Sequence, residues 1–336
     1  MDNPVVTVLL PVYNCERFLA EAIQSILDQT LTNFEFFIID DGSTDQSAQV
    51  ITAFKDERIR LLQQENSGLA ATLNRGISLA RGRYIARQDQ DDVSYPDRLA
   101  RQVDFMEANP DCVLLGTWAQ IIEVDRAVNR FHHHPISGDE LRYLMYFNNP
   151  FVHSSVMLRK TALDQVGGYT TDPDRQPPED FELWSRLSRA GQIANIGEVL
   201  LSYREIPGSM SRVGPSPFRS RLIKICSENI AAASGLPADD PDIHAIAALT
   251  HGDADAIPQC PDFARMESIL LGSIDHPASE SVARSLRQDA VARVQAMKAG
   301  WMIRESPAYG LLHKPGPFRA VAKRLWQLTK RLGRDR

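Results

Sequence analysis

Residues 5–45, VVTVLLPVYNCERFLAEAIQSILDQTLTNFEFFIIDDGSTD, show most clearly how this chain folds. Two largely apolar runs, Val5 to Leu10 and Phe34 to Ile39, each with one polar residue, flank a segment whose apolar residues recur at helical spacing. Continuous apolar runs are typical of parallel strands buried on both faces, and strands alternating with helices predict βαβ units. The sequence therefore predicts an α/β fold that begins with two parallel strands joined by a helix.

The same alternation continues beyond this stretch. It predicts a mostly parallel, Rossmann-like sheet flanked by helices, because crossover helices cover both faces of such a sheet. Helices are predicted at 16–29, 44–54, 68–80, 96–109 and 179–190, and further strands at 58–62, 84–86, 153–158 and 193–203. Residues 112–124 are predicted as a strand or a hairpin. We expect residues 1–214 to form this α/β domain, and residues 215–336 to form a mainly helical extension.

Composition excludes several classes of protein. The net charge of −6 over 336 residues does not fit a nucleic-acid-binding domain, which is basic. Four scattered cysteines without a CxxC pair exclude a zinc finger and suit a reducing compartment. The first ten residues lack a basic n-region, and no apolar run is long enough to cross a bilayer. The sequence therefore predicts a cytoplasmic protein.

Chemically suggestive residues follow three of the predicted strands. These segments are Tyr13-Asn14, Asp40-Asp41 and Asp89-Gln90-Asp91-Asp92. Ligands of open α/β sheets bind beyond the carboxyl ends of the strands, so the three segments should share one edge. This placement predicts a nucleotide or phosphate site.

The acidic segments each allow two interpretations. Two carboxylates two residues apart, as in 89–92, could hold one Mg²⁺ or Mn²⁺ with substrate phosphates, or could form an exposed acidic turn. In residues 40–45, Gly42 would supply a turn and Ser43 or Thr44 would cap the next helix. A carboxylate there could also accept from a base N–H or a ribose hydroxyl.

These segments, taken together, resemble the family 2 glycosyltransferases. The matching motifs cover about residues 4–211 in the family's order and spacing: Pro11-Val12-Tyr13-Asn14, Asp40 to Asp45, Asn66-Ser67-Gly68, Asp89 to Asp92 with Pro96-Asp97-Arg98-Leu99, His153 to Met157, Val166 to Tyr169, Glu179 to Trp184, and Tyr203-Arg204. The resemblance implies a GT-A fold and an inverting, metal-assisted transfer. The sugar would come from a nucleotide-diphosphate donor, most often UDP-linked, and the acceptor would be a glycan or lipid-linked glycan of the cell surface.

By this resemblance, individual residues acquire expected roles. Tyr13 would lie against the base, with Pro11 lining the same pocket. Asp41 would read the base, and Asp89 would approach the ribose. Asp91 would hold the Mn²⁺ or Mg²⁺ that binds the diphosphate. The catalytic base, which deprotonates the acceptor hydroxyl, would be Asp180.

The base assignment has a simpler alternative. Glu179 and Asp180 open a predicted helix, where the dipole favours ionised carboxylates, so they could serve helix stability alone. Trp184 lies one turn further along the helix and could stack on an acceptor sugar or pack in the core. His153 would be structural or line the acceptor side. Family members often carry a histidine two positions after the Tyr-Arg pair, whereas this chain has Ile206.

The last thirty residues differ from the rest in charge. Residues 307–336 contain eight Lys or Arg and one acid, and apolar residues of 315–336 fall on one predicted helical face. This tail could bind anionic lipid as a peripheral membrane contact, or pack as a solvated helix on its own domain. Two other functions remain open: a sugar-phosphate nucleotidyltransferase, which should carry a Gly-rich basic loop, and a degenerate binding module recruited to the membrane.

Overall fold

The computed structural model describes residues 3–124, 126–206, 218–274 and 277–305. Its first half alternates strands and helices: β1 Val6–Val12, α1 Leu19–Leu27, β2 Phe34–Asp40, α2 Ser47–Ala53, β3 Ile59–Gln63, α3 Leu69–Leu79, β4 Tyr84–Arg87, β5 Val93–Ser94 and α4 Arg98–Ala108. The second half continues with β6 Cys112–Glu123, β7 Arg126–His132, α5 Gly138–Leu144, β8 Met157–Arg159, α6 Lys160–Val166, α7 Glu179–Ala190, β9 Gln192–Glu205, α8 Phe218–Ser234, α9 Pro241–Thr250, α10 Phe263–Gly272 and α11 Glu280–Glu305.

The strands form one sheet in the order β3-β2-β1-β4-β8-β6-β9-β5, and β7 pairs with β6. Strands β1 to β4 pair in parallel, as the sequence predicts. Strand β8 is antiparallel to both β4 and β6, and β9 is parallel to β6. Six strands of this sheet therefore run the same way, while β5, β7 and β8 are reversed. The sheet is mixed, but the carboxyl ends of β1, β2, β4 and β9 share one edge.

Apolar residues cover both faces of the sheet. On one face Leu9 of β1 belongs to a buried cluster with Leu73 of α3 and Leu183 of α7. On the other face Val8 packs with Ile23 of α1 and Leu99 of α4, together with further residues of these elements. Since the side chains of a strand alternate between its two faces, a continuous apolar run supplies both clusters. The predicted layers of helix, sheet and helix are confirmed.

The strand expected over 153–158 is shorter than predicted. Residues His153–Ser155 form a 3-10 turn, and only the following β8 joins the sheet. The Ser155 amide and hydroxyl both donate to the carbonyl of Val152, at 2.9 Å each. Serine side chains offer the backbone such local bonds in place of a strand ladder, which explains the turn.

The C-terminal helices pack against the sheet domain. Tyr146 and Phe147, just after α5, lie in one apolar cluster with Ile246 of α9 and Leu270 of α10. Ile223 of α8 belongs to the same cluster as the sheet residues near α3 and α7. The domain boundary at 214/215 stays a prediction, and it falls, like the basic tail 315–336, outside the described residues. Among the described helices, none combines the length and the apolar character required to cross a membrane.

Candidate active site

The loops that follow β1, β2 and β4 are tied to one another at the carboxyl edge. Gln90 accepts from the Tyr13 amide at 2.7 Å and donates to the Tyr13 carbonyl at 3.2 Å. The Asn14 side chain accepts from the Thr44 amide at 2.8 Å, and Asn14 itself adopts a positive φ of 49°. Asparagine tolerates this left-handed conformation better than most residues. These bonds leave the Tyr13 ring 47% exposed beside the acidic loop, whereas Pro11 lies buried in β1.

Asp41 holds the loop that precedes α3. Its Oδ1 accepts from the Gln64 side chain at 2.6 Å and from the Ser67 amide at 2.9 Å, while Oδ2 accepts from the Gly68 amide at 3.0 Å. Burial alone would raise the pKa of Asp41, but these hydrogen bonds outweigh it and lower the pKa. The carboxylate is therefore ionised, and it holds the loop before α3 against the end of β2.

The helix cap predicted at Ser43 or Thr44 is not formed, because neither residue stands at the start of α2. Helix α2 begins at Ser47, not at residue 44, and the Asp45 carboxylate accepts from the Ser47 amide at 2.9 Å. Ser43 instead accepts from the Asn14 amide at 3.1 Å, so it links two loops rather than capping the helix. The turn predicted at Gly42 is confirmed by its φ of 77°.

The acidic loop after β4 brings Asp89 and Asp91 together. Arg87 is buried and holds the Asp89 carboxylate at 2.5 Å. Burial and the charge of Asp89 raise the pKa of Asp91 to about 6. No cluster of three or more metal-binding side chains occurs among the described residues. Two carboxylates nevertheless suit Mg²⁺ or Mn²⁺, which takes its other ligands from water and substrate phosphates.

Asp92 and Arg204 connect this loop to the end of β9. Asp92 is 1% exposed and accepts from the Arg204 amide at 2.7 Å and from the Ser154 hydroxyl. The Arg204 guanidinium donates to the Asp91 carbonyl at 2.7 Å and pairs with Glu21 of α1 at 2.5 Å. Arg204 therefore ties the backbone of Asp91 to the end of β9.

Asp180 lies in the first turn of α7, beside the buried Glu179. Its Oδ2 accepts from the Asn149 side chain at 2.8 Å, and its Oδ1 accepts from the Phe181 amide at 2.7 Å. Burial, followed by the charge of Glu179, raises the pKa of Asp180 to about 7. The helix dipole was expected to favour the ionised form, but burial and a neighbouring like charge exceed this effect.

His153 and Trp184 belong to an aromatic cluster behind Asp180. The His153 ring lies 2.9 Å from the Tyr169 hydroxyl, and burial lowers the pKa of His153 to about 3. The Trp184 ring is 0% exposed and contacts the rings of Phe151, His153 and Tyr169. Packing, the simpler alternative for Trp184, is what the structure shows. The lowered pKa keeps His153 neutral near pH 7.

The charged groups at the end of β4 influence the carboxylates at the start of α7. Burial is the largest cause of the raised pKa of Glu179. The charge of Asp89 raises this pKa further, and the charge of Arg87 opposes the shift. The structure therefore gathers the β4 loop and the start of α7 into one charged site. Ile206, at the position of the family's histidine, directly follows β9 and is half-buried.

Three polar residues at this site received no role from the sequence. They are Gln90, Asn149 and Arg204, and each acts through a partner distant in the chain. Gln90 and Arg204 carried a signal, because each lies in one of the family-like motifs, whereas Asn149 lies in none of them.

Comparisons with known proteins agree with this geometry. The model "Glycosyl transferase family 2" matches residues 7–167. EpsE of Bacillus subtilis (strain 168), provisionally named a glycosyltransferase, is 37% identical over 218 residues, which are 63% of this chain and 77% of that protein. The amylovoran biosynthesis glycosyltransferase AmsE of Erwinia amylovora is 30% identical over 205 residues, 59% of this chain and 75% of AmsE.

Solved structures share the fold across most of the chain. TarS 1–349 of S. aureus, in complex with UDP-GlcNAc, has a TM-score of 0.60 at 17% identity and covers 88% of this chain and 92% of its own. The mannosyltransferase PcManGT of Pyrobaculum calidifontis, in complex with GDP-Man and Mn²⁺, has a TM-score of 0.52 at 18% identity. The match covers 90% of this chain and 88% of the PcManGT chain. The fold is therefore GT-A-like, as expected. Together with the match to EpsE, these features show that the chain belongs to the family 2 glycosyltransferases.

Proposed function

We propose that this glycosyltransferase moves a sugar, with inversion, from a nucleotide-diphosphate donor to a hydroxyl group of a glycan or lipid-linked glycan. The observation that carries the proposal is the environment of Asp180. A general base works best when its pKa lies near the operating pH, and burial beside Glu179 raises the pKa of Asp180 to about 7. Two hydrogen bonds hold the carboxylate in place.

The reaction needs one base and one leaving group. The acceptor oxygen attacks the anomeric carbon as the bond to the diphosphate oxygen breaks, and the hydroxyl proton passes to Asp180. Attack from the face opposite the leaving group inverts the anomeric centre, so a second nucleophile is not required. Glu179 supports this step by keeping the neighbouring pKa high.

The donor would bind at the carboxyl edge of β1, β2 and β4. The exposed Tyr13 ring would offer a face for the base, with Pro11 lining the same pocket, and Asp41 would read the base. Asp89 would accept from a ribose hydroxyl. Asp91 would hold a divalent cation, Mn²⁺ or Mg²⁺, which when bound stabilises the charge of the departing diphosphate.

The donor class and the acceptor rest on relatives. UDP-GlcNAc is bound in the TarS structure and GDP-Man in the PcManGT structure, so a nucleotide sugar is the expected donor and UDP the first nucleotide to test. AmsE and TuaG are named for amylovoran and teichuronic acid biosynthesis, which favours a surface polysaccharide as acceptor. We place the enzyme in the cytoplasm, with a peripheral membrane contact through residues 315–336.

Asp180→Asn tests the base. The variant should lose turnover by at least a hundredfold and keep donor binding, because a general base contributes on the order of 10²–10⁴ to the rate. Asp174→Asn makes the same change on an exposed loop residue before α7 and should keep full activity. Wild-type turnover in Asp180→Asn would refute the assignment.

Calorimetric titration tests the donor half. UDP-, GDP-, dTDP- and CMP-sugars are titrated with and without Mn²⁺ into the wild type and Asp91→Ala. We expect one nucleotide class to bind with metal, and the variant to lose most of that binding. Equal binding with and without Mn²⁺ would argue against metal assistance.

A further inference from the structure

We infer that Asn149 is the positioning residue of the proposed base: its side-chain amide orients Asp180 and sets the pH at which that carboxylate ionises. The inference rests on the proposed function of Asp180. Asn149 does not touch the reacting atoms in this view, and it acts only through the Asp180 carboxylate. Asn149 Nδ2 donates a hydrogen bond to Asp180 Oδ2 at 2.8 Å, although the two residues lie 31 positions apart in the chain.

The backbone around Asn149 fixes which side of its amide faces Asp180. The Phe151 amide donates to Asn149 Oδ1 at 3.1 Å, as in an Asx turn. This bond occupies the oxygen side of the amide, so the NH₂ group must point the other way, toward Asp180. Pro150 favours an extended backbone at Asn149, and its carbonyl accepts from Asn195 at 3.3 Å. The donor is therefore built into the turn.

The same turn is fastened to the helix that carries Asp180. Phe151 is 5% exposed, and its ring meets Trp184 edge-on at 6.4 Å between centroids. Trp184 lies four residues after Asp180, so it projects from the same face of α7. The turn and the first turn of α7 therefore keep their relative position through a buried aromatic contact.

The charges around Asp180 explain why such a donor matters. Glu179, on the same helix, opposes ionisation of Asp180, as does burial. Tyr169 lies in the loop before α7, and its hydroxyl is influenced by the charges of Asp180 and Glu179. The charges of Arg87 and Asp89, at the end of β4, also act on this hydroxyl. Against the two unfavourable influences, the Asn149 amide and the Phe181 amide stabilise the carboxylate by direct donation. A hydrogen bond to the charged form favours that form.

Two substitutions remove the donor and keep the turn. Asn149→Ser retains an oxygen that can accept from the Phe151 amide, and Asn149→Asp is isosteric but presents an acceptor to Asp180. The matched controls are Asn148→Ser and Asn148→Asp, since Asn148 is the exposed neighbour. The readout is the titration of the Asp180 carboxyl carbon by NMR in protein labelled at aspartate, with the signal identified by its loss in Asp180→Asn.

The expected result is an alkaline shift of the Asp180 midpoint. Asn149→Ser should raise it by about 1 pH unit, because hydrogen bonds to charged groups are worth on the order of one pKa unit or more. Asn149→Asp should raise it further through like-charge repulsion. Both controls should leave it unchanged, and calorimetric binding of UDP-GlcNAc with Mn²⁺ should not distinguish the four variants from wild type.

Different results would overturn the positioning role of Asn149 and the proposed base. An unshifted Asp180 midpoint in Asn149→Ser and Asn149→Asp would overturn the positioning role, even if Asp180→Asn is inactive. Full turnover in Asp180→Asn would overturn the proposed base itself. Where a turnover assay is in hand, the acid limb of kcat/KM should move with the NMR midpoint, whereas a purely structural role for Asn149 would lower activity equally at every pH.

Discussion

The chemistry of single side chains in this site is controlled by what surrounds them. Asp41 and Asp180 are both shielded carboxyl groups at the same edge of the sheet, yet their pKa values move in opposite directions. Asp41 accepts several hydrogen bonds that stabilise its charge, whereas Asp180 accepts fewer and lies beside Glu179. The first is suited to holding a loop, and the second to accepting a proton.

The upward shift at Asp180 predicts how activity depends on pH. Because the base must be deprotonated, kcat/KM should rise through a pH of about 7 and fall about tenfold per unit well below it. Donor binding at saturating Mn²⁺ is measured over the same range, to separate the base from the metal-binding carboxylates. A rate that stays flat between pH 5.5 and 8 would contradict this prediction.

The downward shift at Asp41 predicts a stability effect of the opposite kind. Asp41→Asn places an NH₂ group against donors and should lower the free energy of unfolding at pH 7 by about 1–3 kcal/mol. A lowered pKa stabilises the fold above the unfolded value of about 3.8, and this stabilisation is lost as the pH falls through the folded value. The difference in the free energy of unfolding between Asp41→Asn and the wild type should therefore become smaller in acid. Urea unfolding at several pH values measures this difference.

The control for Asp41→Asn is Glu65→Gln. Glu65 is exposed on the loop before α3, which Asp41 holds, so this variant makes the same change of charge without removing a buried acceptor. We expect its free energy of unfolding to stay within about 0.5 kcal/mol of wild type. An equal loss of stability in both variants would show that the net charge of this region determines stability. The hydrogen bonds of Asp41 would then not explain the loss.

At the scale of helices and strands, α3 packs closely against β1 at Gly76. A Cβ atom added at Gly76 would lie 2.3 Å from Leu9 Cδ1, and Leu9 is buried. The helix therefore approaches the central strand at a distance that a larger residue does not permit. This contact supports the strand whose end carries Tyr13.

Gly76→Ala should destabilise the protein although alanine favours helices. Replacing glycine with alanine gains about 1 kcal/mol of helix propensity, but overpacking a core costs about 1–3 kcal/mol. We expect a lower melting temperature. Gly300→Ala, in the exposed part of α11 with no atom near the added Cβ, should raise it. A melting temperature that rises in both variants would show that the Leu9 contact can relax.

Across the chain as a whole, the C-terminal helices complete the core of the sheet domain. The hydroxyl of Tyr143 donates to Asp289 of α11 at 2.8 Å, and that of Tyr146 donates to the Ser273 carbonyl at 2.9 Å. Asn229 of α8 donates to the Met145 carbonyl at 2.9 Å. These contacts join elements more than 80 positions apart, so the two predicted regions should unfold together.

A chain that ends at residue 214 tests this coupling. It would expose the apolar residues that α8 to α11 cover, so we expect aggregation or a transition without cooperativity in calorimetry. A chain that ends at residue 305 retains every described contact and should melt near the full-length protein. A soluble 1–214 chain that binds the nucleotide sugar would establish an independent domain.

The alternation of apolar runs and helical periods was sufficient to predict the sheet, its parallel strands and the edge at which the site lies. The ordered motifs from Pro11 to Arg204 were sufficient to indicate the family. Such signals are local, because each depends on residues close together in the chain. They did not predict the reversed β8, since turns such as His153–Ser155 depend on contacts made after folding.

Only the tertiary structure decided the chemical state of the site. Burial determines whether a carboxylate at a helix start is a strong or a weak base, and burial is a property of the packed chain. The ties that place the acidic loop and the proposed base join residues far apart: Arg204 with Asp92 across 112 positions, and Asn149 with Asp180 across 31. Local patterns carry no information about such pairs, so their roles follow from the folded geometry alone.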